Sequence, residues 1–501
     1  MSNGLQKTGK TFIGVSAVIF ISKVIGFARD IVFASIFGTA VLADLFQVIF
    51  SFPGYLFASV GTALSSFNIP DLTYFINNRT REERNQYLSN LFAQITLWAT
   101  LLSLLGIVFA PALTRLIAPG ISGEAEELAV LLTRIMIPTL LFVSLTYVAA
   151  GVLQVHGYFL LSSSISVPFN ILIIGSLLLK GDDIVLLGYV TTIGWLLQFL
   201  IQTPVLIKEK YHFSLRINFK DEHTVLLFKG LIPILLGNSL LQLCLIIDRS
   251  FAYNLDVGTT SALAFGSNLF ITVTSIFIVA MSTVVFPRLS QYCMDGDMAR
   301  IRMLLQNIFK ILLFILLPYL LLVIFYNHEI VSLVYERGAF TGKSTDTTAL
   351  AFLGYSFAVL GYACQEIFNR VYYALKKFKI PAQVSILCLM LKLLLDLLLF
   401  RTAGIAGISI STAVCLLVYA LVMGVLLHRE IGSFLGRDLL YFIFQLGFPL
   451  AGMASVVLAG RYLGLAGRLT FLLPLLVSGL VYLGTAYLSP VRHSILGLKE
   501  S

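Results

Sequence analysis

Runs of about 20 mostly apolar residues recur from one end of the chain to the other, each long enough to cross roughly 30 Å of hydrocarbon. A bilayer core offers no hydrogen-bond partner, so a spanning backbone must pair with itself, as helices or as a closed barrel. Long unbroken runs exclude the barrel, whose strands alternate apolar and polar residues. Composition agrees. Of the 501 residues, 58% are hydrophobic and 12% charged, with a mean hydropathy of +0.93; a soluble domain carries about a quarter charged residues. The chain is predicted to be an all-α integral membrane protein of about 14 transmembrane helices.

The expected spans, numbered one to fourteen, are 11–36, 40–64, 87–113, 127–154, 157–179, 184–207, 224–252, 260–286, 303–326, 347–375, 380–400, 404–427, 438–460 and 468–489. The first run carries Lys23 and Arg29 and no small-residue cleavage site follows it, so it reads as a spanning helix rather than a signal peptide. With the N-terminus inside, the cytoplasmic connections hold Lys7, Lys10, Arg79, Arg81, Arg84, Lys208, Lys210, Arg216, Lys220, Lys229, Arg288, Arg300 and Arg302. Lys376, Lys377, Lys379, Arg429, Arg437, Arg492 and Lys499 complete them. About 20 basic residues then lie inside against about 8 outside, which places both termini in the cytoplasm. The net charge of +9 follows from basic loops facing anionic lipid and calls for no nucleic acid.

The two halves resemble each other. Arg29-Asp30, Phe33-Ala34, Gly38-Thr39 and Pro70-Asp71-Leu72-Thr73 are echoed by Asp248-Arg249, Phe251-Ala252, Gly258-Thr259 and Pro287-Arg288-Leu289-Ser290, at an offset of about 218 residues. Six helices separate the copies, so the repeat is parallel, about an axis along the membrane normal. This predicts a six-helix lobe over 1–207, a basic cytoplasmic linker over 208–223, a second six-helix lobe over 224–428, and two extra helices with a tail over 429–501. Two lobes face each other across a central cavity, and rocking one against the other gives alternating access.

A charge near the bilayer centre costs on the order of 3 kcal/mol, so it faces an interior, a cavity or a partner. Lys23, Arg134, Arg249, Lys310, Arg370 and Lys392 fall inside the spans, with Arg29 near the outer end of the first; Asp30, Asp44, Asp248, Glu366 and Asp396 are the acids. Arg134 and Lys310 read as snorkelling side chains. Lys23 and Arg29, six apart on one helix, suit a phosphate-bearing headgroup; pairing with Asp30 or Asp44 is the structural alternative. Lys392 and Asp396, four apart and with Asp248 at matching depth, suit an ion or proton site, or a lysine neutralising acids to staple the bundle.

The five cysteines are scattered, and neither a metal site nor a disulfide framework is indicated. No catalytic set or ATP-binding loop is present, so the chain reads as a transporter rather than an enzyme.

The opening SKVIGFARDIVFASIFGTAVLADLFQVIFSFP resembles the first two helices of the MurJ family of lipid II flippases, within the multidrug, oligosaccharidyl-lipid and polysaccharide exporter superfamily. LTRIMIPTLLFVSL, IIDRSFA, VVFPRLSQY, LVYERGAF and VYYALKKFKIPAQVSI continue the likeness through span twelve. The resemblance implies a protein of the bacterial inner membrane that moves undecaprenyl-diphosphate-linked peptidoglycan precursor from the cytoplasmic to the outer leaflet. It implies membrane lipids around it, a monomer, and contact with cell-wall synthesis enzymes. A flippase for another undecaprenyl-linked glycan is the first alternative; a cation-coupled drug exporter is the second. Arg29 matches a first-helix arginine of the family, Lys23 stands where another arginine is common, and Asp44 matches a second-helix acid. The family's second-helix arginine is missing from PGYLFASVGTAL, and its eighth-helix arginine falls on Asn268. The family's sodium ligands fall on Asp248, Lys392, Asp396 and Thr412; the lysine would occupy the ion's place, so no cofactor and no sodium is expected.

Overall fold

A computed structural model describes the backbone of residues 2–212, 217–434, 436–465 and 467–496. Side chains are described for these except 2–16, 62, 65–67, 275–288, 290, 294, 493, 495 and 496. The cationic side chains of Lys7, Lys10, Arg216, Arg288 and Lys499 therefore lie outside the described residues.

The described residues are helical without strands, and every expected span falls on helix. By length and composition, 8 helices among the described residues could cross a membrane, or up to 10 when each of two bent pairs counts as one span. Spans eleven and twelve appear as one trace, Lys379–Ile431, turned at Gly404. That glycine has φ +52°, a conformation an L side chain resists. Span seven is bent by 64° between Glu222–Asn238 and Leu240–Ala252. Span two is broken by a π-helical turn, Phe52–Phe57, at Pro53, which has no N–H for the helical ladder.

The chain divides into two compact units, Met1–Ser261 with Arg337–Phe340, and Ala262–Glu336 with Thr341–Ser501. The division falls at Ser261 because span seven packs against span two.

In the first unit, one core gathers Leu64, Leu72, Tyr87, Leu88, Leu91, Val148, Val152 and Leu153 from spans two, three and four and the segment joining two and three. Lipid is as apolar as leucine, so close packing rather than water exclusion holds such seams inside the bilayer. Gly61 is one such approach: a Cβ there would lie 2.1 Å from the Tyr147 ring. Span three starts with a capping box in which Thr80 and Glu83 satisfy each other's backbone N–H groups.

Residues 337–340 of the ERGAF segment dock on the end of the first helix, where Ala339 N–H donates to the Ser35 carbonyl at 2.8 Å. Gly38 closes that helix with φ +54°, and a Cβ on it would lie 2.4 Å from the Ala339 carbonyl oxygen. Gly38→Ala is expected to cost roughly 2 kcal/mol or more, from the left-handed backbone plus the clash. Thermal unfolding in detergent checks this, and an unchanged melting temperature would exclude the docked loop.

At one end of the same unit, the turn after span four meets the chain after span six. His156 Nε2 lies 2.8 Å from the Tyr211 hydroxyl and its Nδ1 3.4 Å from Glu209. Tyr158 donates to the Glu209 carboxylate at 2.8 Å. Arg84 donates to the Glu209 carbonyl at 3.2 Å and covers the Tyr211 ring at 4.3 Å. Burial holds the His156 imidazole below its ordinary value of 6.5, opposed by Glu209 and aided by Arg84; burial also pushes the Tyr211 phenol up to about 12. A histidine with a depressed folded pKa binds fewer protons than the unfolded chain, so the clamp is at full strength above 6.5 and weakens as pH falls below it. Hydrogen exchange over 208–212, corrected for intrinsic rates, is expected to quicken between pH 7.5 and 5.5. His156→Asn should remove that dependence.

In the second unit, spans thirteen and fourteen (helices Arg437–Tyr462 and Leu472–Leu488) pack on each other and on span nine. Tyr482 donates to the Phe314 carbonyl at 2.7 Å, and Arg461 pairs with Glu329 at 3.2 Å. Gly460 lets the two extra helices close, since a Cβ there would lie 2.5 Å from Pro474.

Candidate functional site

The first helix carries Lys23 and Arg29. Arg29 pairs with its neighbour Asp30 at 2.7 Å, both side chains remaining about one-fifth accessible. Its guanidinium lies 6.0 Å from the Phe50 ring centroid and 5.8 Å from that of Phe169. Two aromatic faces and a same-helix carboxylate hold a cation in place without burying it. Lys23 is exposed and makes no hydrogen bond or ion pair with a described residue. Six residues turn a helix by about 600°, leaving the two side chains about 120° apart around the first helix.

Of the two acids named as alternatives, Asp30 takes Arg29, from the adjacent position on the same helix. Asp44 accepts from Gly258 N–H at 2.6 Å, from Ser261 N–H at 2.7 Å and from the Ser261 hydroxyl. A buried carboxylate on the N–H groups opening the eighth helix is a helix cap, favoured also by the helix dipole. With three donors already on its oxygens, Asp44 fastens span two to the start of span eight.

One turn further along span two, Arg249 of span seven is 2% exposed. It donates to the Gln47 carbonyl at 3.1 Å and to the Tyr55 hydroxyl at 2.8 Å, with its guanidinium 4.7 Å from the Tyr55 ring. Its neighbour Asp248 is fully buried in the same unit.

In the second unit, Lys392 and Asp396 are fully buried and paired, Nζ lying 2.5 Å from both carboxylate oxygens. The Ser411 hydroxyl takes a third position: Lys392 donates to it at 2.7 Å, and it also bonds Asp396. Thr412, the hydroxyl expected from the resemblance, is buried next door. The sequence reading passed over Ser411. Its signal was the hydroxyl run Ser409-Ser411-Thr412, which could not be resolved without the crossing of spans eleven and twelve. The ammonium lies equally close to both oxygens of Asp396. Asn268 is half-buried on the eighth helix. All five cysteines are free thiols, and no cluster of metal-ligating side chains occurs among the described residues.

The sequence profile of the family described as "Lipid II flippase MurJ" matches residues 33–478. The chain belongs to the MurJ family. It is a multi-pass membrane protein of a transporter family, not an enzyme. A probable MurJ lipid II flippase of Buchnera aphidicola subsp. Acyrthosiphon pisum (strain APS) is 28% identical over 492 residues, covering 95% of this chain and 96% of that protein. Among solved structures, "Lipid II flippase MurJ, inward closed conformation" superposes with a TM-score of 0.79 at 24% identity, over 97% of this chain and 99% of the other. An inward-facing multidrug resistance MATE family transporter of the MOP superfamily gives a TM-score of 0.65 at 17% identity, over 84% of this chain and 98% of the other. At these identities the structures speak for the fold. The fold is shared with MurJ and, at a lower TM-score, with the MATE transporter.

Proposed function

We propose that the chain is a lipid II flippase of the bacterial inner membrane, carrying the undecaprenyl-diphosphate-linked precursor from the cytoplasmic to the outer leaflet by alternating access. The family match over residues 33–478 carries this reading. Arg29, presented between Phe50 and Phe169, supplies a planar guanidinium that can grip a diphosphate with two parallel hydrogen bonds. Lys23 adds a flexible ammonium on the same helix. Asp30 orients Arg29. Both termini face the cytoplasm, and the chain works as a monomer in contact with cell-wall synthesis enzymes.

Outward movement of a diphosphate runs with an inside-negative potential, which contributes about 2.3 kcal/mol per charge per 100 mV. The buried Lys392–Asp396–Ser411 cluster supports a form in which the lysine is a built-in counter-ion and no sodium binds.

The test is genetic. A host depleted of its own lipid II flippase should regain lipid II on the outer leaflet when this chain is supplied. Good membrane expression without restored exposure would sink the lipid II reading.

A further inference from the structure

The break in span two is gripped from both sides. Span two runs as Val41–Ser51, then the π turn Phe52–Phe57, then Ala58–Asn78. A π turn carries one extra residue, so side chains at and beyond it are rotated by up to about 100° from an unbroken helix. Arg249 bonds the Gln47 carbonyl before Pro53 and the Tyr55 hydroxyl after it. Its two bonds thus report the broken register and hold it.

The same turn seats Phe50. The Phe50 ring lies over Gly54, where a Cβ would come within 2.7 Å of it. Phe50 also stacks on Phe46 at 5.6 Å between centroids, and its face is one of the two against Arg29. An unbroken chain of contacts therefore leads from Arg249 through span two to the Arg29 guanidinium, within one compact unit.

We propose that Arg249 is a positioning residue for transport: by gripping span two across Pro53, it holds Phe50 as the platform that presents Arg29 to the diphosphate. This rests on the reading of Arg29 as the headgroup cation. Arg249 itself is buried, with its guanidinium on span two. Burying a guanidinium on a carbonyl and a phenol is costly, which a mere spacer would not require. Lysine could not replace it, having no planar fork to reach both groups while stacking on Tyr55.

The test is a double-mutant cycle with undecaprenyl diphosphate as the probe, its affinity measured on the purified full chain in detergent. Arg249→Gln is expected to weaken binding about tenfold in the parent and to have no effect once Arg29→Ala is present. Gly54→Ala, which displaces the Phe50 ring and leaves Arg249 alone, should give the same pattern. It also serves, with Tyr55→Phe, if Arg249→Gln does not fold. Equal losses in both backgrounds, or no loss in the parent, would overturn the positioning role. If Arg29→Ala itself leaves affinity unchanged, the headgroup reading fails instead, so the two failures are told apart.

Discussion

Arg29→Ala is expected to abolish rescue of a flippase-depleted host while leaving the protein folded in the membrane. Arg29 is only partly buried and its ion pair is with the adjacent Asp30, so little stability depends on it. A charge-assisted hydrogen bond to a phosphate contributes about 1.5–3 kcal/mol, so losing the guanidinium should slow transport by roughly ten- to a hundredfold. Arg29→Lys keeps the charge and loses the fork, and should fall between. Arg134→Ala is the control. Arg134 is exposed on the fourth span, and its loss should leave lipid II exposure at the parent level. Outer-leaflet lipid II, normalised to membrane expression, is the quantity to follow. Equal losses at the two arginines would mean that the first-helix cation has no special place.

The second large effect falls on stability. Lys392→Ala leaves the Asp396 carboxylate fully buried with its ammonium gone, and should destabilise the second unit by about 3–5 kcal/mol. Removing both charges together, as Lys392→Met with Asp396→Leu, should cost far less, because a buried pair contributes little beyond a well-packed apolar one. Lys392→Asn separates packing from ion chemistry: it clears the ammonium and adds an oxygen ligand beside Asp396 and Ser411. Sodium should then raise the melting temperature of the asparagine variant and leave the parent unmoved. A sodium-dependent shift in the parent would refute the built-in counter-ion.

The spans were legible because backbone in hydrocarbon must be helical, so apolar run length translates directly into helix. The turn at Gly404 and the π turn at Pro53 are local matters of the same kind, set by one glycine and one proline. Partners across the fold were not legible. Asp44, expected among the headgroup residues, lies 214 positions from the Gly258 N–H that it caps. Arg249, known only as a charge in a span, finds its acceptors 202 and 194 positions away. Ser411 reaches Lys392 because of how two legs of one hairpin cross, a rotation that hydrophobic periodicity leaves open in a helix apolar on every side. The sequence by itself determined an all-helical membrane protein, its spans and the cations of its first helix, because burial in lipid is decided residue by residue. Which charges pair, and where the compact units divide, was decided only by the tertiary structure, because a buried polar group takes whichever partner packing brings within about 3 Å.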